Sequence, residues 1–241
     1  MKRNEWAFGA PWVEPSPHWP CSAGSRSWPS SRAGSIERPA TPDADAVAAP
    51  TLTDVTIRSE RLGDRERVRS LHRSAFGEGH GETVATLADA LRRDDPQVLS
   101  LVAEEAGEVL GHAMVSRALL DAPPRLVDVA VLSPLAVAPE RQRRGFGAEL
   151  VQRGLDDLDR RGVPLVFVEG DPGYYSRLGF LAAGGLGFRK PSLRIPDAAF
   201  QVVRLAAYEP WMTGTLVYPD TFWRHDCVGL REPAPGSERI G

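Results

Sequence analysis

The stretch that decides the fold runs from residue 133 to residue 147 and reads Ser133-Pro134-Leu135-Ala136-Val137-Ala138-Pro139-Glu140-Arg141-Gln142-Arg143-Arg144-Gly145-Phe146-Gly147. An apolar strand leads into a glycine-containing loop, and the loop opens a helix. The N–H groups of a helix's first turn lack partners within the helix and, together with the helix dipole, favour an anion. Gly145 and Gly147 remove side chains where a phosphate would approach the main chain. The stretch therefore suits a pyrophosphate, although it is neither a GxxxxGK[ST] loop nor a GxGxxG turn.

Patterns on either side of this stretch predict a mixed α/β sheet of about seven strands with flanking helices. The helix after the loop ends near Gly162, and an apolar run of the buried-strand type follows. A strand, a helix and a second strand in this order predict a parallel pair with a right-handed crossover. The expected strands are near residues 54–58, 98–104, 109–117, 126–137, 163–168, 200–205 and 213–218, and the expected helices are 62–76, 82–93, 145–161 and one that opens at Asp171-Pro172.

Three linked motifs carry a resemblance to a known family. Gln142-x-x-Gly145-x-Gly147 resembles the Q/R-x-x-G-x-G/A signature of the GNAT superfamily of acetyl-CoA-dependent N-acetyltransferases. The preceding Leu135-Ala136-Val137-x-Pro139-Glu140 resembles that family's lead-in, and Tyr175-Ser176-Arg177-Leu178-Gly179-Phe180 resembles its Y-x-x-x-G-F ending. The resemblance covers roughly residues 55–218 and implies a GNAT-like fold with a splayed parallel pair. The tyrosine doublet at 174–175 and Tyr218-Pro219 are similar to one bacterial branch whose substrates are mostly undefined.

The resemblance implies a binding site for acetyl-CoA. Main-chain groups of Leu135, Ala136 and Val137 would pair with the pantetheine arm like a strand, and an N–H near Leu135 would face the thioester oxygen. Such pairing needs the strand that ends at Val137 to part from the next one, and Pro134 favours this because it cannot donate to a ladder. The alternatives are an ordinary strand core and a glycine-rich helix entry with solvated arginines, Arg141 among them. The main-chain amides expected to hold the pyrophosphate are those of Arg143, Arg144, Gly145, Phe146, Gly147 and Ala148.

The same resemblance implies two catalytic roles. Tyr175 matches the tyrosine that protonates the leaving thiol, and the alternative is a packing tyrosine. Tyr174 would face about 100° away from Tyr175 on a helix. Glu169, which ends a strand beside the expected gap, is the first candidate for the base that takes the amine's proton. The other candidates are Asp128, Glu82 and His80, His112 is interpreted as structural, and a base reached through water would leave no pattern.

Composition excludes several other classes of protein. The 241 residues carry 29 Lys and Arg against 32 Asp and Glu, so the formal net charge of −3 argues against bulk binding of nucleic acid. No apolar run approaches the roughly 18–20 residues of a membrane span, and no secretory signal is recognisable, so we expect a cytoplasmic protein. Cys21 and Cys227 are too few for a disulfide framework or a four-cysteine zinc site, and we expect no metal.

The chain is expected to consist of a tail at 1–50, an N-acetyltransferase domain at 51–224 and a C-terminal tail at 225–241. The first tail is rich in Pro, Ser and Gly, which predicts disorder, although it holds four of the six tryptophans. The leading interpretation is an enzyme whose partners are acetyl-CoA and a primary amine. Two alternatives stay open: a non-catalytic acyl-CoA-binding or regulatory module, and a scaffold recruited through the tryptophans. Folds of this kind also dimerise through sheet edges, and a homodimer stays open.

Overall fold

The computed structural model describes residues 55–77 and 80–229. They contain a mixed sheet with helices on both faces, which confirms the predicted fold class. The expected tail at 1–50 and residues 230–241 of the expected C-terminal tail lie outside the described residues. The described strands are β1 (Thr56–Ser59), β2 (Leu99–Glu105), β3 (Glu108–Asp121), β4 (Leu126–Val137), β5 (Leu165–Glu169), β6 (Leu181–Ala182), β7 (Phe188–Arg189), β8 (Phe200–Arg204) and β9 (Gly214–Val217). The described helices are α1 (Arg65–Phe76), α2 (His80–Asp94), α3 (Phe146–Arg160), α4 (Pro172–Tyr175) and α5 (Asp220–Arg224).

The strands run in the order β1-β2-β3-β4-β5-β8-β6, and β9 pairs with the end of β3 and with β7. The β4 and β5 strands, which flank α3 in the chain, are parallel as predicted. A tight turn joins β2 to β3, with Ala106 at φ 51° and Gly107 at φ 83°. Two successive residues with positive φ are typical of the short hairpin turn that the sequence predicts there.

The sheet separates two apolar cores. One face packs against α3 and the other against α2, because strand side chains alternate between the faces. We call the first cluster the α3-face core; it includes Leu101, Val115, Leu132, Phe146, Leu150, Val166, Val168, Tyr175 and Phe180. We call the second the α2-face core; it includes Val84, Leu87, Leu91, Met114, Ala118, Val129, Val131, Phe167, Phe200 and Phe222.

The end of the packed chain lies beyond residue 224, where the domain is expected to stop. Cys227 and Val228 are both buried in the α2-face core. Cys227 N–H donates to the Phe222 carbonyl at 2.8 Å and so closes the turn after α5. The core therefore includes residues of the segment expected to be a tail. Among the described residues, no helix is long and apolar enough to cross a membrane.

Candidate active site

A gap in the sheet lies between β4 and β5. The two strands pair only at Ala130–Val166 and Val131–Phe167. Beyond these pairs β4 continues to Val137 against β3, while β5 pairs with β8 on its other side. One edge of the last residues of β4 is therefore without a neighbour among the described strands, and its main-chain groups need partners. This is the splayed parallel pair that the sequence predicts.

A bulge in β4 accompanies the gap. Leu132 pairs with Val115 and Leu135 pairs with Ala113, so that two residues of β4 lie opposite the single residue Met114 of β3. The two residues are Ser133 and Pro134, and proline has no N–H to give to a ladder. A bulge of this kind bends its strand and redirects the side chains that follow.

The loop after β4 prepares the helix that follows it. Gln142 Nε2 donates to the Val137 carbonyl at 3.3 Å and holds the loop against the end of the strand. Arg143 and Gly145 have φ of 62° and 95°, and α3 begins directly afterwards at Phe146. No side chain of residues 55–77 or 80–229 caps this helix, and the N–H groups of its first turn have no partner within the helix. We call this uncapped first turn, residues 145–148 at the end of β4, the cradle.

Gly147 in the first turn of α3 has no room for a side chain. A Cβ atom there would lie 2.5 Å from the Tyr174 hydroxyl and 3.5 Å from Val137 Cγ2. Tyr174 is half-buried, and burial raises the pKa of its phenol to about 12. Its hydroxyl thus contacts the cradle directly. The sequence indicates only that Tyr174 faces away from Tyr175; the tyrosine doublet is the signal that could have marked it.

Tyr175 is the last residue of α4 and follows the end of β5 by six residues in the sequence. Asp171 caps this helix by accepting the Gly173 N–H at 2.8 Å, as Asp-Pro predicts. The Tyr175 ring packs edge-on against Tyr174 and Phe180, with centroids 4.9 Å and 5.5 Å away. Burial raises the pKa of Tyr175 well above its usual value, so the phenol keeps its proton at neutral pH.

Glu169 ends β5 at the gap. It pairs with Phe200 of β8, whose side chain belongs to the α2-face core, so Glu169 faces that side. Its Oε2 accepts the Gly229 N–H at 3.1 Å. Burial raises the pKa of Glu169 to about 7, although Tyr218, the Gly229 N–H and the charge of Arg194 favour the ionised form. A carboxyl group with this pKa can accept or release a proton near neutral pH.

Comparisons with known proteins agree with this geometry. The acetyltransferase (GNAT) domain family matches residues 56–183. The chain belongs to the GNAT family. It is 33% identical over 170 residues to the uncharacterised N-acetyltransferase YjhQ of Escherichia coli K12, covering 68% of this chain and 92% of that protein.

Two solved GNAT structures are also similar. The N-acetyltransferase YhbS of E. coli, crystallised with CoA, is 32% identical with a TM-score of 0.64, covering 73% of this chain and 96% of that one. A Brucella melitensis GNAT acetyltransferase, crystallised with acetyl-CoA, is 31% identical with a TM-score of 0.57, covering 70% and 99%.

The other base candidates of this GNAT domain lie away from the gap or have partners. Exposed Asp128 pairs with Arg117 near the start of β4. His80 is exposed at the start of α2, and Glu82 binds Arg69 and Arg73 at 2.6 Å each. Of the carboxylate and histidine candidates, only Glu169 lies at the gap.

His112 is completely buried in a chain of polar contacts. Its Nδ1 lies 2.9 Å from Nε2 of His72, and its Nε2 lies 2.9 Å from the Ser100 hydroxyl. The chain continues to Glu60, which Arg92 Nε contacts at 2.8 Å. Burial lowers the pKa of both histidines, so they are neutral at physiological pH. These contacts fit the structural role expected for His112.

The arginines beside the cradle differ in their surroundings. Arg141 binds the buried Glu105 of β2 at 2.9 Å, so its charge stabilises the loop rather than standing free for a phosphate. Arg143 and Arg144 are exposed, and the Arg144 guanidinium lies 5.6 Å from the centre of the Phe146 ring. Residues 55–77 and 80–229 contain no group of three or more His, Cys, Asp or Glu side chains arranged for a metal ion.

Proposed function

We propose that the protein transfers the acetyl group of acetyl-CoA to the primary amine of an acceptor. The observation that carries the proposal is the gap between β4 and β5, with the uncapped start of α3 at its end. The uncapped N–H groups of the first turn of α3 favour binding of the CoA pyrophosphate there. Similar GNAT structures crystallised with CoA and acetyl-CoA also support it.

In this proposal the donor and the acceptor bind on opposite faces of the sheet. Leu135, Val137 and Tyr175 pack with the α3-face core, on the side of the cradle. Glu169 faces the α2 side. The donor would therefore lie along β4 on the α3 side, and the amine would approach through the gap from the α2 side. Tyr175 and Glu169 would therefore lie at opposite ends of the reacting atoms.

The reaction needs a group that takes a proton from the amine and a group that stabilises the departing sulfur. An amine with a pKa near 10 is mostly ammonium at neutral pH and must lose a proton before it attacks. Glu169, with a pKa of about 7, would take that proton. The amine nitrogen then bonds to the thioester carbonyl carbon, the carbon–sulfur bond breaks with its electron pair left on sulfur, and the second proton that the nitrogen loses as the amide forms ends on that sulfur. The raised pKa of Tyr175 makes complete proton transfer to a thiolate unfavourable, so we assign it a hydrogen bond that stabilises the departing sulfur.

The test is release of CoA thiol from acetyl-CoA across a panel of primary amines. Tyr175→Phe should lower kcat with little change in affinity for acetyl-CoA. Tyr208→Phe is the matched control, because Tyr208 lies after β8 and stacks beneath Arg204. An unchanged kcat in Tyr175→Phe would reject its role. Binding of CoA without thiol release to any amine would instead support the non-catalytic acyl-CoA-binding module.

A further inference from the structure

Three strands carry buried polar side chains around the gap. Ser116 of β3 and Ser133 of β4 are only 1% and 7% exposed, and neither hydroxyl has a hydrogen-bond partner among the described residues. The carboxylate of Glu169 on β5 is held by the Gly229 N–H and by Tyr218. A buried hydroxyl without a partner is costly. Such groups in a native protein are paired by ordered water, an ion or a ligand, or have a specific role.

The strand register gives the relative positions of the three side chains. Ser116 lies directly opposite Val131 of β4, and Val131 lies beside Phe167 of β5. Ser133 and Glu169 each follow that pair by two residues, on the two strands that part there. Ser133 and Glu169 therefore flank the start of the gap, and Ser116 lies one strand away, across β4 from it.

All three side chains belong to the α2 side of the sheet. Met114 and Ala118, two residues on either side of Ser116, belong to the α2-face core. Ser133 shares with Pro134 the bulge opposite Met114, and it follows Val131 of the same core by two residues. This is the side from which the proposed function brings the amine.

We propose that Ser116 and Ser133 recognise a second polar group of the acceptor, and that the acceptor is a small amino alcohol. This inference rests on the proposed function. A serine hydroxyl both donates and accepts, so it pairs well with another hydroxyl. A site built to hydrogen-bond a substrate hydroxyl rejects an analogue without it, since its own buried groups then stay unpaired.

The charges near the gap disfavour an amino acid as acceptor. Glu169 carries a negative charge whenever it is ionised and able to accept a proton, and it would repel a substrate carboxylate. Arg194, the cation that acts on Glu169, is itself paired with Asp226. An acceptor with a neutral hydroxyl therefore fits this surface better than one with a carboxylate.

The test compares matched acceptors in the thiol-release assay. Ethanolamine, 3-amino-1-propanol and 4-amino-1-butanol are each paired with the alkylamine in which a methyl group replaces the hydroxyl, and β-alanine supplies the carboxylate. We expect at least one amino alcohol to exceed its alkylamine about tenfold in kcat/KM, and to exceed β-alanine. Ser116→Ala and Ser133→Ala should each reduce that preference at least about threefold, because each removes one of its hydrogen bonds. Ser59→Ala, at an exposed position on β1, should leave it unchanged.

Thermal unfolding separates recognition from folding. Because the structure gives the two hydroxyls no partner among the residues it describes, each alanine variant should lower Tm only by the small amount that losing one oxygen atom from the packing explains. Ser133→Cys and Ser116→Cys keep the volume where an alanine variant proves unstable. Equal rates for amino alcohols and alkylamines, or an undiminished preference in folded variants, would overturn this inference and leave the proposed function intact. A lack of turnover with every amine would overturn both.

Discussion

The contact between Gly147 and Tyr174 gives a prediction whose sign depends on the background. A Cβ atom on residue 147 would stand 2.5 Å from the Tyr174 hydroxyl, about 0.9 Å inside ordinary contact at 3.4 Å. Overpacking of this size costs about 1–3 kcal/mol. Alanine in place of glycine inside α3 favours the helix by about 1 kcal/mol. Gly147→Ala should therefore destabilise the protein by about 0–2 kcal/mol, and Tm should fall by roughly 2–4 °C per kcal/mol.

Tyr174→Phe removes the atom responsible. The nearest remaining atoms, Val137 Cγ2 at 3.5 Å and the ring carbon Cζ at 3.6 Å, are at ordinary contact distance. In that background Gly147→Ala should stabilise the protein by up to about 1 kcal/mol. Urea unfolding of the wild type, both single variants and the double variant gives the coupling directly. A change of the same sign and size in both backgrounds would refute the assignment of Gly147 to the Tyr174 contact.

Three further predictions test the base, the buried ion pair and a tight main-chain approach. The kcat/KM of the wild type should rise with pH through about 7 as Glu169 ionises, and Glu169→Gln should lose this inflection and most of its rate; a retained inflection would remove Glu169 as the base. Burial alone would raise the pKa of Glu60, but contacts with His112 and Arg92 outweigh burial and lower this pKa to about 2. Ionised Glu60 therefore contributes fully to the free energy of unfolding above pH 4.5, the pKa in the unfolded chain, and this contribution is lost as the pH falls toward 2. Glu60→Gln should cost about 2 kcal/mol in urea unfolding at pH 7, because it removes one of the two carboxylates that pair with the buried guanidinium of Arg92 and leaves Asp89 alone there, and a loss below about 1 kcal/mol would contradict this. Gly214→Ala should lower Tm sharply, because its Cβ would lie 2.1 Å from the Asp121 carbonyl oxygen, whereas Gly184→Ala, with nothing within 4 Å, should leave Tm almost unchanged.

Much of the fold is predictable because its signals are local. The strand, loop and helix around residues 133–147, and the parallel order of the strands on either side of α3, follow from apolar periodicity and a short crossover. The two-residue strands β6 and β7 carry no such pattern, because their pairing with β8 and β9 depends on distant chain. For the same reason β3 extends to Asp121, four residues beyond the prediction, where β9 gives it a second partner.

The candidate site is predictable in its outline and less so in its contacts. Its motifs mark the cradle, Tyr175 and Glu169 by their positions along the chain. The pairing of Arg141 with Glu105 joins residues 36 positions apart, and the sequence shows only a cluster of arginines. The approach of Tyr174 to Gly147 also depends on how α4 lies against α3. The orphaned hydroxyls of Ser116 and Ser133 stand out only once burial and partners are known.

The bulge at Ser133-Pro134 explains how β4 presents side chains to both faces of the sheet in the proposed reaction. Before it, Leu132 faces the α3 side; after it, Leu135 and Val137 face that side, and Ala136 packs with Leu71 of α1. In an unbroken strand, residues 134 and 136 would face α3 instead, since a shift of one residue exchanges the faces. The extra residue thus turns Leu135 and Val137 toward the cradle while Ser133 stays on the α2 side. Because β5 has already parted from β4 at this point, the unpaired edge of β4 begins beside the bulge, as the proposed transfer between ligands on opposite faces requires.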